Sequence, residues 1–250
     1  MRNTLIVVCT VAASASTAAG QTAADLIQQG DKLEKERNEE AALAKYKEAL
    51  KLEPTNIDAL CSASFMCSRI GNRQTSKTLK EAYFKTAKIY ADGALKKDAG
   101  NAEANYVMAV AMGRMALISG SRDKVAASRD IYKYAQKAVQ LNPRYALAWN
   151  VLGKYNFEVS NLNFAEKGAA NMLFGGLPPG DLKTAIASYE KCKSLDPGFI
   201  LNLLDLGKAY KQNGDKEKAR AVWQQAVNTP VRTQDDPEYI AECKKLLGSL

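Results

Sequence analysis

The chain contains no histidine. That absence removes the commonest general base, the Ser-His and Cys-His nucleophile pairs, histidine-ligated zinc and the usual haem ligand. None of its five cysteines forms a C-x2-C pair, so a zinc site has no support. Neither a P-loop nor a G-x-G-x-x-G pattern is present. The glycine-rich stretch Gly175-Gly176-Leu177-Pro178-Pro179-Gly180 lacks the Lys-Ser or Lys-Thr that a phosphate loop requires, and it is expected to form a stiff turn ending at Asp181, a helix N-cap. Beyond the first twenty residues, nothing approaches the roughly 18 apolar residues of a membrane span. Asp235-Asp236, the sole adjacent Asp pair, is better explained as a helix entry, and Glu39-Glu40 as the acidic opening of a helix. These absences argue against an enzyme, a cofactor or a metal centre.

What the chain has instead is a recurring grid. Ala42, Tyr46, Ala49 and Pro54 set its pattern of a small residue, a large one, a small one and a helix-stopping proline, and Ala185, Tyr189, Cys192 and Pro197 repeat it. Less regular copies are Ala87, Ala91, Ala94, Ala99, then Ile131, Ala135, Ala138, Pro143, then Ala219, Trp223, Ala226, Pro230. Helices approach closely only where side chains are small, and proline cannot continue them. Each grid is preceded by a second helical stretch. Trp149, Leu152 and Gly153 match W-x2-L-G-x2-Y until Asn156, and Leu203 is followed by Leu206, Gly207 and Tyr210, which match three of its four fixed residues; the first unit keeps Leu26 and Gly30.

This pattern resembles the tetratricopeptide family over nearly all of residues 23 to 233. The resemblance implies an all-α, right-handed solenoid of about five helical hairpins, whose units span 23–56, 57–101, 102–145, 146–199 and 200–233. A capping helix is expected at 236–250, with Pro237 near its start and its body from Glu238 to Leu247. The steps between grid ends are 45, 44, 54 and 33 residues, and only the last approaches the roughly 34 of this repeat. The added residues are expected between paired helices, around Gly71 to Thr78, Ser119 to Ala127 and Val159 to Gly180.

Residues 1–20 are of a different kind. A single Arg2, an apolar run from Leu5 to Ala13 and a small-residue tract ending in Ala18-Ala19-Gly20 suggest a cleaved secretory signal. A periplasmic or secreted location follows, with an uncleaved membrane anchor as the alternative. Export would permit disulfides, yet Cys61 and Cys67 lie about 9 Å apart along one helix and on different faces, too far to bridge. Cys192 occupies a packing position of its repeat, and Cys243 is left undecided.

Charge is unevenly distributed. Residues 21–58 hold six basic and nine acidic side chains, 59–113 hold eight and four, and 114–144 hold seven and two. Lys77, Lys80, Lys85, Lys88, Arg122, Lys124, Arg129 and Lys133 belong to this basic middle. An anionic partner such as an acidic peptide or lipid headgroup is one explanation, and a solvated outer face is the favoured one. Nucleic acid is not expected, since aromatic and basic residues do not interleave.

In the resembling family first helices line the concave surface, which implies candidate partner contacts at Tyr106, Val110 and Arg114, at Asn150, Lys154 and Glu158, and at Lys208 and Gln212. A narrower resemblance covers about the last 150 residues. Leu152-Gly153-Lys154-Tyr155-Asn156-Phe157-Glu158-Val159-Ser160-Asn161-Leu162, the long insert, Leu195-Asp196-Pro197-Gly198-Phe199 and the closing Asp235-Asp236 resemble the regulator of microtubule dynamics family. That family implies a tetratricopeptide-like fold, association with microtubules and, in one member, phospholipid binding. An exported chain would not meet microtubules.

Within the insert, Asn163 and Glu166 predict a capping box for a short helix to Phe174, stopped by Gly175-Gly176. Leu162, Phe164, Met172 and Phe174 make it apolar enough to line a hydrophobic-ligand pocket, although packing across the neighbouring repeat is favoured. The chain is therefore expected to be a non-catalytic scaffold that holds a protein or peptide in its groove. The alternative is a lipid or hydrophobic-ligand binding module.

Overall fold

The computed structural model describes residues 21–250; the expected signal sequence, residues 1–20, lies outside them. The described residues form twelve α-helices and no strand. Five antiparallel pairs follow one another: α1 (Ala23–Lys35) with α2 (Glu39–Leu52), α3 (Ile57–Arg73) with α4 (Lys77–Lys97), α5 (Ala102–Ala116) with α6 (Ser121–Leu141), α7 (Ala146–Asn161) with α9 (Leu182–Leu195), and α10 (Ile200–Gln212) with α11 (Lys216–Asn228). The insert forms α8 (Phe164–Phe174), and α12 (Asp236–Leu247) closes the chain. The solenoid and its terminal helix are thus as the grid implies.

Helix starts carry local signals. The side chains of Thr22, Asn38, Asn56, Ser76, Asn101, Asn163 and Asp181 each accept a hydrogen bond from a first-turn amide, which satisfies a donor the helix itself cannot. Asn163 and Glu166 complete the predicted capping box, and Gly175 ends α8 in the left-handed region at φ 75°.

The grid works by pairing a glycine on each first helix with a large side chain on the second. A Cβ on Gly30 would stand 2.5 Å from the Tyr46 ring, one on Gly153 2.5 Å from Tyr189, and one on Gly207 closer still to Trp223. All three rings are fully buried. The second pair shifts this contact, Gly71 meeting Tyr83 and Phe84 at 2.7 and 2.9 Å, and the third relaxes it, Gly113 standing 3.8 Å from Ile131.

The added length of units two and three lies largely within the helices, which corrects the expectation that it would fall between them. Gly71 to Arg73 finish α3, residues 77 and 78 begin α4, and α4 and α6 each run 21 residues. Buried Phe84 and Ala127 give these added turns an apolar contact, so they continue the hairpin instead of leaving it as loop.

First helices touch one another along the array, α3 against α5, α5 against α7, α7 against α10 and α10 against α12, whereas second helices pack on first helices. That wedge curves the solenoid with first helices inside. Buried apolar residues form one large cluster from Ala42 to Leu152 and another from Ala185 to Cys243. The four described cysteines are buried, unpaired thiols. Cys192 packs as its repeat position requires, and Cys243 joins the second cluster.

Candidate inner binding face

At the N-terminal end of the inner face, charge is buried where the sequence is most apolar. Along Ala59–Ile70 of α3 the charged residue is Arg69, and Arg73 follows one turn later. Both guanidinium groups are ion-paired to Glu39 at the start of α2, Arg73 at 2.7 Å, and Glu39 is only 1 % exposed. Arg69 also lies 3.5 Å from Glu34, and Arg73 3.6 Å from Glu40. Burial pushes the Glu34 carboxyl up, with Arg69 pulling it the other way.

The last partner comes from the far end of the chain. Asp235, in the link before α12, places Oδ1 3.0 Å from Arg73 Nη1 and Oδ2 3.5 Å from Arg69 Nε. Beside it, the Gln234 amide donates to the main-chain oxygen of Arg37 and reaches Glu40 at 3.5 Å. Arg37 is the one non-glycine residue with positive φ among those described, at 62°, a conformation costing about 1 kcal/mol. Asp236 holds the turn by accepting from the Arg232 and Thr233 amides, each at 2.8 Å. The chain thus crosses its own inner surface, and its last link meets its first hairpin.

Sequence reasoning misses the role of these residues. Glu39-Glu40 does open α2 and Asp235-Asp236 does form the entry to α12, but the side chains of Glu39 and Asp235 serve the arginines. A signal is present: two arginines four residues apart on an otherwise apolar helix face require buried acids.

The candidate contacts are dispersed over this face. Tyr106 is buried between Phe65 and Tyr145, with ring centroids 5.7 and 5.1 Å away, and Val110 packs on the core. Arg114 donates to Asn72 at 3.0 Å, while its Nε is buried without an acceptor; burial lowers its pKa. Asn150 is buried and donates to Asn202 at 3.2 Å, which donates to the Tyr189 carbonyl at 3.0 Å. That amide chain joins repeats and leaves Asn150 little to offer a partner.

Lys154 and Glu158 are exposed and paired at 3.2 Å, and Lys154 also reaches buried Asp205 on α10 at 3.8 Å. Lys208 pairs with Glu242 of α12 at 2.7 Å, and Gln212 donates to Asn161 at 2.6 Å. Desolvation raises the Asp205 pKa, Lys154 and Lys208 opposing it. The inner face is therefore laced by contacts between successive units. Lys77, Lys80, Lys85, Lys88, Arg122, Lys124, Arg129 and Lys133 stand instead on the outer helices α4 and α6, while Arg69, Arg73 and Arg114 belong to first helices.

The insert divides. Leu162 lines a cleft of about 280 Å³ with Val159, Ala170, Leu177 and Pro178, rimmed by Lys167 and Asn171. Phe164 and Met172 stand outside it, 93 % and 88 % exposed. Phe174 is the last residue of α8. Arg129 of α6 donates to the Gly176 carbonyl at 2.7 Å, which ties the loop after α8 to the third repeat. No group of three or more acidic or cysteine side chains able to hold a metal occurs among the described residues.

Comparison with known proteins gives one consistent picture. The family model described as Regulator of microtubule dynamics protein 1-3 matches residues 26–250. Regulator of microtubule dynamics protein 2 of Mus musculus is 28 % identical over 177 residues, 70 % of this chain and 43 % of that protein. Regulator of microtubule dynamics protein 1 of Homo sapiens is 27 % identical over 177 residues, 70 % of this chain and 56 % of that protein. The chain spans about half the length of the curated relatives it matches. Among solved structures, a thermophilic TPR protein from Thermus thermophilus is similar with a TM-score of 0.66 at 16 % identity, covering 90 % of this chain and 100 % of that one. Pseudomonas aeruginosa pilF is similar with a TM-score of 0.56 at 15 % identity, covering 91 % and 90 %.

Proposed function

The chain belongs to the regulator of microtubule dynamics protein 1-3 family, and from that premise we propose that it is a non-catalytic scaffold holding a protein or peptide partner on its inner face. The observation that carries this reading is the shared surface of neighbouring first helices. Lys154 and Glu158 on α7, Lys208 and Gln212 on α10 and Arg114 on α5 supply both charge signs and an amide there. A rigid array presenting side chains from several repeats binds extended segments with little ordering cost to itself. Export of the chain belongs to the same proposal, and we leave the microtubule role with the relatives that bear the name.

A photocrosslinking residue at Glu158 should capture a discrete partner in the native cell, whereas one at Lys137 on outer helix α6 should not. Lys154→Glu should weaken that capture while circular dichroism stays unchanged. Equal capture from both positions, or none from Glu158, would sink the reading.

A second reading, a hydrophobic-ligand module, is favoured by the cleft beneath α8. Its apolar walls are Val159, Leu162, Ala170, Leu177 and Pro178, with Lys167 at the rim for an anionic group. The volume of about 280 Å³ is at the low end for ligand sites. Native mass spectrometry of the purified chain should then show a bound lipid, and an Ala170→Trp variant should lose it.

A further inference from the structure

The contact between the chain's last link and its first hairpin has the form of a ligand in a site. Residues 229–235, between α11 and α12, contain no helix. They present a carboxylate with both oxygens engaged by guanidinium groups, and next to it an amide bonded to a main-chain carbonyl. Carboxylate capture by two arginines together with a backbone contact is how a groove takes an extended acidic peptide. The receiving residues, Arg69, Arg73 and the Arg37 carbonyl, are set by α3 and the α1–α2 turn, independently of α12. Arg69 is further fixed over the Phe65 ring at 5.5 Å.

We propose that Gln234-Asp235 is a built-in ligand that occupies the partner's carboxylate site, and that an acidic extended peptide enters by displacing it. This inference rests on the groove-binding reading above and specifies its partner class and its control. A tethered segment competes at an effective concentration in the millimolar range, so the unmodified chain favours its own segment. Acidic peptides of moderate affinity bind once the segment has swung away. Removing Asp235 leaves the arginines paired with Glu34, Glu39 and Glu40 and takes the carboxylate from Arg69 Nε and Arg73 Nη1, the two nitrogens an incoming carboxylate would meet.

The test uses a labelled peptide of sequence Thr-Pro-Val-Arg-Thr-Gln-Asp-Asp-Pro-Glu, copied from residues 229–238, and fluorescence anisotropy. The Gln234→Ala/Asp235→Ala chain should bind it at least about tenfold more tightly than the unmodified chain, as release from a tethered competitor requires. A peptide with Asn at the position of Asp235 should lose that gain, as should the double variant carrying Arg73→Gln. Asp235→Asn, which keeps the side-chain shape, provides the same comparison should the alanine pair fold poorly. Equal affinity for both chains, or no binding to a variant that circular dichroism shows folded, overturns the proposal. Crosslinking from Glu158 reads the scaffold function separately, so failure of this inference is distinguishable from failure of the reading it rests on.

Discussion

The closure at Arg69, Arg73, Glu39 and Asp235 and the insert around α8 both depart from the plain repeat, and they do so in opposite senses. In the first, four charged groups are drawn largely out of water; in the second, a phenylalanine and a methionine stand almost wholly in it. Residue polarity predicts burial only where a neighbouring repeat supplies an ordinary partner surface. At the ends and interruptions of a solenoid, the fold decides.

The sharpest way to break the comparison is Arg69→Ala. It leaves the Glu39 carboxylate, 1 % exposed, with one cation in place of two, and a cost of about 3–5 kcal/mol is expected from urea unfolding. Next is Gly153→Ala, which sets a methyl group 2.5 Å from the fully buried Tyr189 ring. Overpacking there should cost about 1–3 kcal/mol. A loss as small as that of an exposed helix substitution would mean that the insert loosens the pair it interrupts.

Asp205→Asn sharpens the comparison, because this buried carboxylate has one ion-pair partner, Lys154 at 3.8 Å, where Glu39 has two. Its raised pKa means that the folded chain holds the proton more tightly than the unfolded chain. The unmodified protein therefore loses stability as pH rises from the ordinary aspartate range through the raised value. The asparagine variant should gain at neutral pH, by no more than about 1 kcal/mol since Lys154 also loses a partner, and the gain should vanish in acid. Thermal melts at pH 7 and pH 3 check both the sign and the window.

The smallest effect is expected from Phe164→Ser with Met172→Ser, which should shift stability by no more than about 0.5 kcal/mol. A larger loss in urea unfolding would show that the exposed face of α8 is covered within the chain in solution.

Much of the fold was legible because its causes are local. The small-and-large packing grid, the Asn163–Glu166 capping box, the Gly175 stop and the Asp181 and Pro237 helix starts depend on residues within one or two hairpins. The helical state of the added residues was not legible, since those around Gly71 and Ser121 carry turn-forming types in stretches that packing makes helical. The candidate face was legible as a set of first helices and illegible in detail. Asn150 sits at a plausible groove position, yet its amide is taken by Asn202, fifty-two residues away.

By itself, then, the sequence determined the repeat and its interruption, because helix periodicity and small-residue spacing act over a few turns. Only the tertiary structure decided that the two ends meet. The pairing of Arg73 with Asp235 spans 162 residues and depends on curvature summed over every intervening unit, a quantity that no single repeat encodes.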